Sequence, residues 1–316
     1  MTSSSFSFHV DMSWENSWPF YTVYPCSFLF FLFAYFLGPR FWPKFPFGVG
    51  KQYEKMSEMN KMCWQQNFNG MIHAVTCTLL LIVAIAIDPV LIDERPLHMH
   101  YNIVGYAALS LSIGYFSFAI PWTNYLYFRK HERHATNMSL VIHHHVVWLA
   151  CLSYILGRTC GLYGAVAFAC MEFTNWFFVA GILLQQMRSK RRKLMGACNA
   201  LLYFSFFVCR VVICTYMMVL FSIDLSSFSS DSAGETFLVI FQYAIFIFVW
   251  ALSFYFAIRE VKPLIKQKLA QKVDKRREQR KKVVKGSIAE ASTSTASVGS
   301  DVSVTVKSGL QTSNNV

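Results

Sequence analysis

The sequence predicts an all-α polytopic membrane protein, a bundle of about seven transmembrane helices followed by a disordered C-terminal tail. Three observations predict it. Of 316 residues, 54% are hydrophobic and 17% aromatic while only 15% are charged, against about a quarter in an ordinary soluble domain. Seven apolar runs punctuate the chain, most of them near the ~20 residues that a ~30 Å hydrocarbon layer requires. The loops between them alternate between basic and non-basic, the pattern that successive crossings of a membrane produce. The net charge of +12 does not point to nucleic acid, because the basic residues flank apolar runs instead of forming a stripe with interleaved aromatics. Nine scattered cysteines without a CxxC pair support neither a zinc site nor a disulfide framework, and read as small apolar side chains.

The chain divides into four segments. Residues 1–63 hold an outward or luminal N-terminus, a first span (Tyr21–Leu37) and a basic linker carrying Arg40, Lys44, Lys51, Lys55 and Lys61. The first twenty residues contain no Lys or Arg, so they lack the basic region of a cleaved signal peptide. Residues 64–258 form a six-helix membrane domain. Its spans are Phe68–Ile87, Tyr101–Phe128 with Pro121 as an expected kink, the stretch from Asn137 to Gly157, Gly161–Leu184, Asn199–Phe221 and Thr236–Ile258. Acidic loops contain Asp88, Asp93 and Glu94, and then Asp224, Asp231 and Glu235, whereas RKHERHA and RSKRRK are basic. With the N-terminus luminal or extracellular and the C-terminus cytosolic, 26 of the 29 Lys and Arg residues are cytosolic, leaving Arg95, Arg158 and Arg210 elsewhere. The sequon at Asn137 then faces the cytosol and is expected to stay unmodified. Residues 259–285 carry twelve Lys and Arg with apolar residues near helical spacing, a juxtamembrane helix expected to lie on anionic lipid. Residues 286–316, rich in Ser and Thr with little bulk, read as disordered.

Ionisable groups inside apolar spans are costly and mark candidate sites. The most conspicuous are His143, His144 and His145, consecutive in the fourth span. Residues ~100° apart on a helix cannot all face one way, so at least one of the three is structural. His144 and His145 are the candidate catalytic residues. One imidazole would act as base or nucleophile on a lipid ester or thioester, with a neighbour orienting it. His73, His143 and Asn175 are candidate residues lining a lipid site at comparable depth. Glu172 and Arg210 lie at matching depths, near the midplane of their spans, and are expected to form a structural ion pair, directly or through Asn175 or Tyr203. No HxxxH or HxxHH box surrounds the triplet, so neither a metal site nor a resident cofactor is expected.

Several stretches together resemble the TLC domain, the membrane domain shared by ceramide synthases, translocon-associated membrane proteins and a set of small TLC-domain proteins. They are the pair His144-His145 continuing into VVWLACLSYIL, M-E-F-T-N from Met171 to Asn175, N-G-M-I-H-A from Asn69 to Ala74, and G-Y-F from Gly114 to Phe116. The likeness covers about Trp64 to Ile258 and is greater to the small members. The H-D-x-S-D motif of ceramide synthases is missing, Ala119 stands where small members carry an Asp, and Asn67 stands near the place of an Arg. The resemblance implies a protein of lipid homeostasis, in the endoplasmic reticulum or, second, the plasma membrane, that binds membrane lipids or regulates their composition. An acyltransferase using the His pair, with acyl-CoA as co-substrate, is the alternative. A seven-helix receptor shares the topology, but the third span runs on into FRKHERH instead of a D-R-Y-like turn, and the seventh lacks N-P-x-x-Y. Self-association is left open.

Overall fold

The computed structural model describes residues 14–46, 48–87, 102–129, 138–157, 159–187, 192–229, 232–256 and 258. All but the last belong to one unit; a second unit begins at Ala257 and is otherwise outside the described residues. Also outside them lie the expected acidic loop around Asp93, the sequon at Asn137, most of the RSKRRK run, and the basic and Ser/Thr-rich tail.

Among the described residues there is no strand, and seven helices are long and apolar enough to cross a membrane. They are α1 (Trp14–Phe41), α3 (Glu58–Ile87), α4 (Ile103–Asn124), α5 (Met138–Gly157), α6 (Gly161–Gln186), a composite span, and α9 (Ala233–Phe256). The composite begins as α7 (Arg192–Ser205), passes through a π segment (Phe206–Ile213) and ends as α8 (Cys214–Ser227). A 3-10 turn (Trp42–Lys44) and the short α2 (Val49–Glu54) join α1 to α3. Large apolar side chains point outward in long rows, among them Phe33 and Phe36 on α1 and Phe204, Phe207, Tyr216 and Ile223 along the composite span. Water would penalise such surface heavily, whereas lipid does not.

Element boundaries differ from those expected wherever polar residues border an apolar run. The 30 residues of α3 measure about 45 Å, well beyond the hydrocarbon layer. Its first turns, including a Lys61–Glu58 pair at 2.8 Å, therefore stand beyond that layer. Helix α4 continues through Pro121, and the expected disturbance there takes the form of a π segment over Tyr125–Arg129.

Helix α4 is the most enclosed span, with 67% of its apolar window buried, and it packs on α1, α3 and α5. Its N-terminus is capped by Asn102, whose Oδ1 accepts from Gly105 N at 2.9 Å while its Nδ2 donates to Ala84 O at 2.7 Å, tying the start of α4 to the end of α3. Gly114 sets the approach of α1: a Cβ there would overlap Ser27 Oγ and lie 2.7 Å from Tyr24 O. Helix α9 is held to α5 by Gln242, which donates to Ser153 O at 3.1 Å and accepts from Thr159 Oγ1 at 3.0 Å.

Candidate functional site

Asn69, His73 and Cys77 recur every four residues on α3 and so share one face, which looks into the bundle. His73 is 2% exposed. Its ring stacks on Tyr115 of α4, centroids 4.2 Å apart and planes within 9°. Its Nε2 lies 3.1 Å from Ser112 Oγ, and its Nδ1 lies 3.6 Å from Glu172 Oε2 on α6. Ser112 donates its own proton to Ala108 O at 3.0 Å, so its oxygen is free to accept from Nε2–H. That bonding leaves Nδ1 facing the carboxyl group, close but beyond hydrogen-bond length.

The network continues across the bundle. Glu172 Oε2 accepts from Asn175 Nδ2 at 3.1 Å, and Asn175 Oδ1 accepts from Arg210 Nη2 at 3.1 Å. Arg210 also donates through Nε to Thr174 Oγ1 at 2.7 Å, through Nη2 to Met171 O at 3.0 Å, and through Nη1 to Ser253 Oγ at 3.5 Å. A chain of side chains thus runs Ser112, His73, Glu172, Asn175, Arg210, Ser253, drawing on α4, α3, α6, the π segment and α9. Among the described residues Glu172 and Arg210 make no direct ion pair; the Asn175 amide stands between them, donating to one and accepting from the other. A π segment adds a residue to the turn and shifts the register of the helix beyond it. Here it buries Cys209 and Arg210 side by side at the α6 face.

The histidine triplet separates as the helical rotation requires. His144 is buried, 5.4 Å from Phe116 and 6.0 Å from His143 between ring centroids. Its Nδ1 has no hydrogen-bond partner among the described residues. His143, half-buried, stands one turn before Val147 on the same face of α5. His145 is on the exposed side, its Nδ1 2.8 Å from Val141 O. The structure therefore brings His73, Glu172, Asn175 and Arg210 into one network and sets His144 and His145 on different faces.

Beside the network lies an apolar cavity of about 30 Å³, walled by Val147 and Tyr154 of α5, Phe168 of α6, and Phe246 and Val249 of α9, with Arg210 at one end. That volume is roughly one water molecule's share of the liquid. Ser112, Thr174 and Ser253 were not singled out in the sequence. Their only signal was a hydroxyl in an apolar run, and such hydroxyls ordinarily bond the carbonyl three or four residues back and pass unnoticed.

A family model, the TLC domain, matches residues 63–261, more than half of the 316-residue chain. No curated protein matches it in sequence.

Proposed function

The chain belongs to the TLC-domain family, and from that premise we propose that it binds membrane lipid and regulates membrane lipid composition. The observation that carries the reading is the buried side-chain network from Ser112 to Ser253. Six polar side chains on five elements, two of them a carboxyl and a guanidinium, lie buried or half-buried inside a bundle whose outside is apolar. Groups of this kind inside a membrane mark binding and transport sites by default, because a purely apolar contact would hold the helices at lower cost. The cavity beside Arg210 gives the network an apolar neighbour where a methylene group fits. His73, His143 and Asn175 line this site in the proposal, with the endoplasmic reticulum as its membrane, the N-terminus luminal, and the basic segment 259–285 resting on anionic lipid.

A second reading, acyl transfer from acyl-CoA, is favoured by one observation: the buried Nδ1 of His144 has no hydrogen-bond partner among the described residues. In the tautomer protonated at Nε2, an Nδ1 without a hydrogen bond keeps its lone pair for a base or nucleophile. Lipid profiles of membranes lacking the chain, and of membranes carrying wild type, His144→Ala or His145→Ala at equal expression, test both. The binding reading expects wild type to alter the profile and both variants to act as wild type does. The transferase reading expects His144→Ala to be inert and acyl-CoA turnover by the purified protein. A profile indifferent to the wild-type chain would sink both.

A further inference from the structure

A second concavity lies outside the network, where α1 leaves the bundle and α3 enters it. The end of α1, the 3-10 turn, α2 and the start of α3 enclose about 290 Å³, just at the lower bound of small-molecule sites, about 300 Å³. Its lining includes Tyr35, Phe36, Tyr53, Glu54, Glu58 and Lys61. The site is built on a fixed frame. Tyr53 is 3% exposed, its hydroxyl accepts from Gln65 Nε2 at 2.6 Å, and its ring packs against Trp42, which meets Trp64 edge-on. Most of the lining precedes the matched TLC segment, with Gln65 inside it, so the pocket sits where this chain's N-terminal portion joins that segment.

Its charges are unequal. Lys61 Nζ bonds Glu58 Oε1 at 2.8 Å and sits 5.9 Å from the centroid of the Tyr53 ring, so the aromatic wall already receives one ammonium group. Glu54 makes no ion pair among the described residues, and with Glu54 and Glu58 facing the single Lys61 the lining carries one negative charge in excess. An ammonium has three donors; Lys61 gives one to Glu58 and keeps two. The pocket thus offers an anionic and aromatic subsite a few side chains from a cationic one. Its lining includes Phe36, 66% exposed on α1, an outward apolar side chain that lipid tolerates better than water.

We propose that this pocket binds the zwitterionic headgroup of a phospholipid, its ammonium against Glu54 and Tyr35 and its phosphate on Lys61. The acyl chains then lie along α1. Phosphatidylcholine supplies both charges; phosphatidylglycerol supplies the phosphate and the tails but no ammonium.

The full chain, purified in detergent and offered an equimolar mixture of these two lipids with identical acyl chains, reports the preference by native mass spectrometry. Wild type is expected to retain phosphatidylcholine over phosphatidylglycerol. Glu54→Gln is expected to lose about threefold to tenfold of that retention, with phosphatidylglycerol unchanged. Glu54 is exposed, so the substitution leaves the packing intact. Free choline at the same concentration should not displace the lipid. Equal retention of the two lipids by wild type, undiminished phosphatidylcholine on Glu54→Gln, or displacement by free choline each overturns the assignment. The difference between wild type and Glu54→Gln reads this pocket, whereas the proposed function is read from membrane lipid profiles, so the failure of one leaves the other standing.

Discussion

Arg210 and His144 illustrate two opposite states of a buried polar side chain. Arg210 has acceptors on four residues, so removing it strands Asn175 Oδ1 and leaves the Glu172 carboxyl without its compensating charge. Arg210→Leu is therefore expected to destabilise the protein by about 3–5 kcal/mol. Adding Glu172→Gln should recover part of the loss, because the stranded charge goes with it. Thermal unfolding of the purified variants measures this, and equal damage in the single and double variants would contradict the bridged arrangement. His144 is the reverse case. Its Nδ1 is buried with no hydrogen-bond partner among the described residues, and such a group costs about 1–3 kcal/mol, so His144→Leu is expected to raise the melting temperature. If the same variant also abolishes the effect on lipid profiles, the unpaired nitrogen is maintained for function at the expense of stability. A lowered melting temperature would show that the imidazole has a structural partner after all. His73, Glu172, Asn175 and Arg210 were legible in the sequence because an ionisable or amide group in an apolar run is conspicuous. Which histidine of the triplet faces inward was not, since the phase of α5 depends on its packing against α4 and α9.

Helix existence was legible for the same reason that helix ends were not. Hydropathy marks where lipid begins, whereas the hydrogen-bonded spiral runs on through Trp14 at one end of α1 and Glu58 at the start of α3. The π segment carries no glycine or proline to announce it: FFVCRVVI holds one conspicuous residue, Arg210, and its bonds to α6 are visible only once the helices are packed. The glycine of G-Y-F gains a physical role in the contact of α1 with α4. Gly114→Ala places a methyl group on Ser27 Oγ and against the α1 backbone at Tyr24 and Phe28. The two helices must part, and a loss of about 1–3 kcal/mol is expected from overpacking. Adding Ser27→Ala removes the overlap with Oγ but not that with the backbone, so rescue should be partial. Full rescue in unfolding experiments would mean that the side chain alone sets the spacing.

Across the molecule, orientation is the property most dependent on sequence and least on packing. A bundle of seven spans packs in the same way whichever end faces the cytosol, and what selects the side is the distribution of Lys and Arg at the span ends. The sequence reading assigns 26 of 29 such residues to one side, and the described residues among them include Lys61 at the start of α3 and Lys193 in α7. The pocket at Glu54 and Lys61 shares that side with the first turn of α5, and so with the end of the bundle nearer the histidines. If that side is cytosolic, the natural sequon at Asn137 stays unmodified, and a sequon engineered between α8 and α9 near Ser229 acquires glycan in a cell-free translation with microsomes. Glycan at Asn137, with none at the engineered site, would invert the molecule. Both the headgroup pocket and the end of the bundle nearer His143 and His144 would then draw on the luminal leaflet, and an acyl donor confined to the cytosol would no longer reach them.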